Sequence, residues 1–398
     1  MIMRMGVMLL NKLKVFEAFS GYRSQSIALR NLGIKHEVVA ISEIDKYAIK
    51  ASEAIQGPVL NLGDISKIDV KDIPEHDLFT YSFPYQDLSV AGKQAGLEKG
   101  TRSGLLYECE RIIEHCKPKY LLLENVKNLV GKKFKPNFDR WLEYLEGLGY
   151  TNYWQVLNAK DYGVPQNRER VFVVSILGEH KPYEFPKPIP LDKCIADILE
   201  DEVDEKYYVS KEIQDKFRPN KNIKDVVDSP VRLGGLFDTD KSKHQAGSVW
   251  DTAKISPTLD TMQGGWRQPC IVDTINDKRF IEYKDKKIEL PCICASRGRN
   301  PENPTSRVAG LPTEQRLEFN TKGTTNTITT VQKDNYVVES SYRIRKLTPR
   351  ECFRLMGMKD SDIDKIQQAG ISNTQQYKMV GNSIVIDVLE GIFRNLFL

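Results

Sequence analysis

Apolar and polar positions along the first 180 residues follow two rhythms that take turns. Short apolar runs at Lys14–Phe19, Glu37–Ile44, Asp77–Phe83, Tyr120–Leu123 and Arg170–Ile176 predict strands. Between them, Ser24–Leu32, Lys46–Ile55, Ser103–Cys116 and Phe138–Leu148 predict helices; in the third, Leu105, Leu106, Cys109, Ile112, Ile113 and Cys116 share one face at helical spacing. Tyr120–Leu123 is almost wholly apolar and ends in Glu124-Asn125, as expected of a strand covered on both faces of a parallel sheet. Regular alternation of strand and helix predicts an α/β fold with a doubly wound, Rossmann-like sheet.

The texture changes near Pro182. Pro182, Pro186, Pro188 and Pro190 read as a proline-spaced linker, and the stretch that follows is rich in Gly, Thr, Asn and Lys with short strand-like runs. Thr258–Gln263 is weakly echoed by Thr327–Gln332, each followed by an apolar strand candidate, Cys270–Val272 and Tyr336–Val338; two copies suit paired hairpins, not a solenoid. Thr348–Gly357 and Ile384–Leu396 are helical again. The expected division is one domain from 1–180 and 341–398 and a smaller, loop- and strand-rich one from 181–340.

Composition excludes more than it proposes. At 398 residues the chain is long enough for two or three domains. Its 58 basic and 54 acidic residues give a net charge of +4, which by itself announces no nucleic-acid partner. The odd number of cysteines, without a C-x-x-C, and five scattered histidines favour neither a disulfide framework nor a zinc site, so reduced thiols and no bound metal are expected. No apolar run approaches the roughly 18 residues needed to span a bilayer. Met1–Leu10, apolar but interrupted by Arg4, reads as a leader or start-site extension, and the expected location is the cytoplasm.

Candidate chemistry begins in the turn Phe19-Ser20-Gly21-Tyr22-Arg23-Ser24, where small residues before a helix let the backbone approach a cofactor. Glu43, at the end of the second strand, is placed to accept ribose hydroxyls, and Asp64 to accept an adenine amino group. Each alone is weak, because an acid at a strand end commonly caps a helix or sits in water. Far more specific is the ordered set Ser82-Phe83-Pro84-Tyr85-Gln86-Asp87, Glu124-Asn125-Val126, Gln166-Asn167-Arg168-Glu169-Arg170, Arg345–Glu351 and Gly381-Asn382-Ser383.

In this order and spacing the set resembles the cytosine-5 DNA methyltransferases over residues 14–180 and 341–398. The resemblance implies a two-lobed enzyme that binds S-adenosylmethionine and duplex DNA and acts on a flipped cytosine, as a monomer and without a membrane partner. Carried over residue by residue, Phe19, Ser20, Gly21, Arg23, Glu43, Ile44, Asp64, Ile65, Leu105, Asn382 and Ser383 would line the cofactor pocket. Glu124 would hold the cytosine at N3 and its amino group, with Arg168 and Arg170 orienting the base and Gln86 beside the nucleophile position. Ser89, Lys93 and Arg102, in a loop with Gly92, Gly96 and Gly100, would meet the DNA backbone. Gly265, Arg267 and Gln268 would read base edges, making 181–340 a target-recognition domain; the five cations of 277–287 would at most touch phosphate.

Two positions depart from the family. Where it has the nucleophilic cysteine of Pro-Cys-Gln, this chain has Tyr85. A thiol of pKa about 8.5 supplies a few per cent thiolate at neutral pH, a phenol near 10 only about a tenth of a per cent, and the ring fills space meant for the base. Arg23 stands where the family generally has glycine, and its bulk and charge are expected to oppose the cofactor's sulfonium unless the side chain swings toward Glu43 or solvent. Together they predict a methyltransferase scaffold with little or no methyl transfer. The competing class is a non-catalytic DNA-binding protein working with a restriction or defence-system partner; altered pyrimidine chemistry at Tyr85 is a third.

Overall fold

The computed structural model describes residues 12–83, 105–220, 228–239, 242–274, 280–283, 286–289, 292–303, 312, 314–319, 335–338 and 342–398. The chain divides into two units, a larger one of Met1–Tyr207, Lys216–Cys270 and Lys346–Leu398, and a smaller one of Tyr208–Asp215 and Ile271–Arg345.

In the larger unit, β1 (Leu13–Ala18), α1 (Ser24–Asn31), β2 (His36–Ser42), α2 (Lys46–Gln56), β3 (Leu78–Tyr81), α3 (Leu106–Cys116), β4 (Tyr120–Val126), α4 (Lys135–Gly147), β5 (Tyr150–Asn158) and β6 (Glu169–Leu177) follow one another. They build a six-stranded sheet in the order β2-β1-β3-β4-β6-β5. β1 pairs in parallel with β2 and β3, and β3 with β4, whereas β6 runs antiparallel to both β4 and β5. The predicted doubly wound sheet is present, with an antiparallel edge and one strand, β5, that the hydrophobic pattern does not signal. As the edge strand it is buried on neither face throughout, so its residues read Tyr-Thr-Asn-Tyr-Trp-Gln rather than as an apolar run.

The central strands are apolar because both faces are covered. Phe16, Phe79 and Tyr81 stack in sequence across β1 and β3 with ring centroids 5.1 Å apart at each step, and Tyr81 meets Trp141 of α4 edge-on. Leu106, Cys109, Ile112 and Ile113 of α3 close the same core, on the face predicted from spacing. Strand order reverses at β1, whose neighbours are β2 on one side and β3 on the other, and ligands of open α/β sheets bind in the crevice outside the carboxyl ends of the strands at such a reversal.

The chain continues through α5 (Lys211–Gln214), β7 (Arg218–Pro219), β8 (Arg232–Gly235), β9 (Ser248–Trp250), β10 (Cys270–Thr274), β11 (Phe280–Tyr283), β12 (Lys286–Glu289), β13 (Cys292–Arg299), β14 (Glu314–Phe319), β15 (Asn335–Val338) and β16 (Tyr342–Lys346) to α6 (Pro349–Arg354), α7 (Asp360–Gln368), α8 (Asn373–Asn382) and α9 (Ile386–Phe397). Within the smaller unit β13 lies between β14 and β15, all antiparallel, and β11 and β12 pair as a hairpin. Its buried Arg345 donates to Asp273 at 2.7 Å, and the same carboxylate accepts from Tyr208 at 2.9 Å. The second member of the internal echo, 327–332, lies outside the described residues.

The units divide elsewhere than at residues 180 and 341. The proline-spaced segment is pressed onto the larger unit: Tyr162 donates to the Pro186 carbonyl at 2.9 Å and Ile189 N–H to Asp161 at 2.9 Å. Residues 256–261 are bound to it as well, through Asn167 N–H to the Ser256 carbonyl and Ser256 N–H to that of Pro165, both 2.8 Å. Proline spacing signals an irregular chain but not whether that chain is free or packed. The carboxyl-terminal helices return to α1 and α2: Asp362, buried, pairs with Arg30, Lys378 reaches Asp45 at 2.6 Å, and Asn31 donates to Glu390 at 2.8 Å.

Glu17 of β1 is fully buried, and among the described residues neither of its carboxyl oxygens makes a hydrogen bond. Burial pushes its pKa up to about 8 against the pull of the Arg23 charge. Between pH 4.5, where the unfolded carboxyl ionises, and about 8 the unfolded chain sheds a proton that the fold retains, so stability falls as pH rises through this window. Glu17→Gln removes the term: thermal melts should find variant and parent similar at acid pH and the variant melting several degrees higher at slightly alkaline pH. Gly381 imposes a second constraint, since a Cβ there would stand 2.2 Å from the Asp260 carbonyl oxygen. Gly381→Ala is expected to cost about 1–3 kcal/mol by overpacking, read as a lower melting temperature and faster proteolytic cleavage between 256 and 268.

Candidate active site

The first turn begins at the carboxyl end of β1 and visits the left-handed region three times, at Phe19 (φ 54°), Gly21 (φ 54°) and Arg23 (φ 64°). Gly21 N–H donates to Glu43 at 2.9 Å, and the other oxygen of Glu43 accepts Ile44 N–H and Asp45 N–H, each at 2.8 Å. Asn61 grips the Glu43 backbone from both sides, accepting its N–H at 3.2 Å and donating to its carbonyl at 3.0 Å. The carboxylate is thus fixed by three backbone donors beside a glycine around which a Cβ would find no atom within 4 Å. Ile44 next to it is 76 % exposed, an apolar side chain presented to solvent at a strand end. A glycine with open space, an immobilised acceptor and a bare apolar surface fit the sugar and base of a nucleoside cofactor.

The other expected cofactor residues are placed less distinctively. Asp64 caps the short helical turn Ile65–Lys67, accepting Ser66 N–H at 3.1 Å and its hydroxyl at 2.8 Å, contacts that hold its carboxyl below the usual range. Ile65 and Ser20 are buried, Phe19 and Leu105 partly so, and Asn382 is exposed at the end of α8. The Ser383 hydroxyl is turned back onto the Met379 carbonyl.

Arg23 swings toward neither Glu43 nor solvent. Its guanidinium is buried and donates to the carbonyls of Ser52 (3.1 Å), in the last turn of α2, and Gly57 (2.8 Å), which follows it. The expected bulk and charge at the turn are therefore drawn under the helices, at a helix carboxyl terminus that favours a cation. The backbone keeps the conformation a glycine would adopt, at a cost of about 1 kcal/mol for a side chain.

Glu124 lies one strand pairing from Arg170: β4 and β6 are in register so that Val126 faces Arg170, and Arg170 Nε stands 3.2 Å from the Glu124 carboxylate. Burial raises the carboxyl pKa, opposed by the charges of Arg170 and Arg168. Asn125 donates to the Phe83 carbonyl at 3.1 Å and so ties this strand end to the last described residue after β3. Tyr85, Gln86, Ser89, Lys93 and Arg102 lie outside the described residues.

Arg168, expected to orient the base and the catalytic residue, acts on Glu124 through its charge while its donors go to the backbone. It donates to the carbonyls of Leu259 (2.9 Å), Gly381 (2.9 Å) and Ser383 (2.8 Å), clamping chain segments remote in sequence. Gln166, fully buried, assists, donating to the Leu355 carbonyl at 2.6 Å while its side-chain oxygen accepts Leu259 N–H at 3.3 Å. Sequence reasoning quoted both residues as a motif but missed this use, because nothing in a motif tells which way a long polar side chain turns.

The clamp leads into 262–268, which belongs to the larger unit. Met262, Gly264, Gly265 and Trp266 all have positive φ. Trp266 is held by Lys346, 3.9 Å above its ring, and edge-on by Phe237. Gly265 and Arg267 are exposed, whereas Gln268 turns inward and donates to the Met262 carbonyl at 2.9 Å. Cys109, Cys270 and Cys352 are buried and burial pushes their thiols up, that of Cys270 to about 12, away from thiolate chemistry. Among the described residues no helix is long and apolar enough to cross a membrane.

The type II methyltransferase M2.ScrFI of Lactococcus lactis subsp. cremoris is 35% identical over 97% of this chain and 99% of its own length. The orphan methyltransferase M.SPBetaI of Bacillus phage SPbeta is 32% identical over 97% of this chain and 98% of its own. In fold the chain is similar to the Dnmt2 methyltransferase of S. pombe (TM-score 0.59, 17% identity, 97% of this chain and 100% of that one) and to the Entamoeba histolytica methyltransferase EhMeth (TM-score 0.62, 17% identity, 97% and 98%). The profile of the C-5 cytosine-specific DNA methylases matches residues 13–398, and the chain belongs to that family.

Proposed function

We propose that this chain binds S-adenosylmethionine and duplex DNA in the manner of a DNA (cytosine-5) methyltransferase, holds a flipped cytosine at Glu124, and is stopped short of methyl transfer by Tyr85. The observation that carries the reading is the Glu124–Arg170 pair, a buried carboxyl of raised pKa on a rigid strand end with a guanidinium 3.2 Å away. In its protonated form, which burial favours, the carboxyl can donate to N3 of cytosine while its other oxygen accepts from the amino group, and this draws electron density from C6. Arg170 keeps the carboxyl in one orientation.

Glu43, Gly21 and Ile44 would hold the nucleoside part of the cofactor, which when bound supplies the methyl group. The burial of Arg23 away from Glu43 supports this reading, since it takes the guanidinium out of the turn's open side. Exposed Gly265 and Arg267 suit contact with base edges, and Gln268, engaged with Met262, suits shaping that loop instead. What the chain lacks is a sulfur nucleophile at position 85: a phenol is mostly un-ionised at neutral pH and bulkier than the cysteine of the family. A protein that binds its target without modifying it serves as a sequence-directed blocker or as the DNA-binding member of a restriction or defence assembly.

Methyl transfer from labelled S-adenosylmethionine to duplex DNA tests the reading. Tyr85→Cys should exceed the parent by at least about a thousandfold, the scale on which loss of a nucleophile acts. In the Tyr85→Cys background, Glu124→Gln should lower kcat by about a hundredfold or more. Both the parent and Tyr85→Cys should bind the demethylated cofactor, and should bind duplex DNA with an affinity that falls steeply with salt. Transfer by the parent at the rate of Tyr85→Cys overturns the assignment of Tyr85 as the block.

A further inference from the structure

Behind the first turn lies a buried polar cluster that the methyltransferase reading leaves unused. Arg23 begins α1 with no side-chain cap and a left-handed backbone, a conformation that costs a side chain energy. Something must offset this, and the contacts of the residue show what. Its guanidinium spans the Ser52 and Gly57 carbonyls. Its own carbonyl, together with that of Tyr22, accepts from Gln56 Nε2 at 3.2 and 3.4 Å. Gln56 Oε1 in turn accepts from the Ser26 hydroxyl at 2.6 Å, and Ser26 meets His36 at 2.9 Å. The turn is therefore fastened at both ends, to Glu43 through Gly21 N–H on its open side and to the end of α2 through Arg23 and Gln56 on its buried side. Glu17, wholly buried on the strand that feeds the turn, is the acid that acts most strongly on Arg23 once it ionises, near pH 8.

We infer that Arg23 is a positioning residue for cofactor binding: by stapling the Gly21–Arg23 turn to the carboxyl end of α2 it holds the cradle in its binding shape, and so supports the cofactor where a guanidinium was expected to oppose it. The inference rests on the cofactor reading above. A glycine at 23 would adopt the same backbone without strain but would leave the turn free to sample others, and binding would then have to supply the ordering.

Calorimetric titration of the full-length protein with S-adenosylmethionine and with its uncharged demethylated product, at a temperature where circular dichroism shows each variant fully folded, separates the alternatives. Arg23→Gly should weaken both ligands by about tenfold or more. Arg23→Met, which keeps the stem and removes the charge and donors, should weaken both by a similar factor, and it serves should the glycine variant fail to fold. Equal losses for the two ligands mark a positioning role, because a repulsive charge acts only on the sulfonium. Unchanged affinity in the variants overturns the inference, as does tighter binding of S-adenosylmethionine alone after the charge is removed. If parent and variants all fail to bind either ligand, the cofactor reading itself falls and takes this inference with it; binding by the parent with no loss in the variants sinks the inference alone.

Discussion

The Arg168 guanidinium is the point on which the larger unit turns. A permanent charge withdrawn from water is tolerated only when it is well hydrogen-bonded, and here Nη1 and Nη2 donate to three carbonyls, those of Leu259, Gly381 and Ser383. These carbonyls belong to the segment before the 262–268 loop, to the end of α8 and to the residue after it. One side chain, immediately before the strand that carries Arg170, thereby joins segments remote from it and from each other in sequence. Gln166 binds Leu259 from the neighbouring position, so that the segment is held by side chains of one motif at both N–H and carbonyl.

How much of this was legible depends on whether a residue's environment leaves a trace in its own type. Strands β1, β3 and β4 announced themselves because central strands must be apolar on both faces; β5, at the edge, did not. α7 and α8 went unread although both bury a face, because those faces carry Asp362, which pairs with Arg30, and Gln376, which donates to the Ile371 carbonyl. Glu43 was singled out by its place at a strand end in the order of the motifs, and Glu124 by the family resemblance, since a strand-end carboxyl alone is a weak signal. Gln268 was expected to read a base edge and Arg168 to orient the base and the catalytic residue; both side chains donate to backbone carbonyls. The identity of a long polar residue marks what it can bond, and only the fold decides which partner lies within reach.

Arg23 shows the same limit from the other side. Its sequence neighbours mark it as a misfit in a glycine position, and the backbone does adopt the glycine conformation. What could not be read is that carbonyls at the end of α2 receive the guanidinium. The strain at the backbone and the contacts at the guanidinium belong to one arrangement, and neither has meaning without the other. Burial of Glu17 beside it makes the first strand of the sheet sensitive to pH at a place no solvent reaches.

The close approach of Gly381 to Asp260 sets where this chain can be recombined with its relatives. A chimera that exchanges everything from 181 to 340 would import a foreign backbone at 256–261 against an unchanged α8, with no side chain available to yield between them. Cuts at 270 and 346 would instead carry the smaller unit's 271–345 segment across whole while leaving Leu259, Asp260 and their partners native. Cuts just after 261 and before 269 would confine an exchange to the exposed loop. The part of such a scaffold open to exchange begins downstream of a fixed anchor, and a glycine with no side chain is what holds the anchor in place.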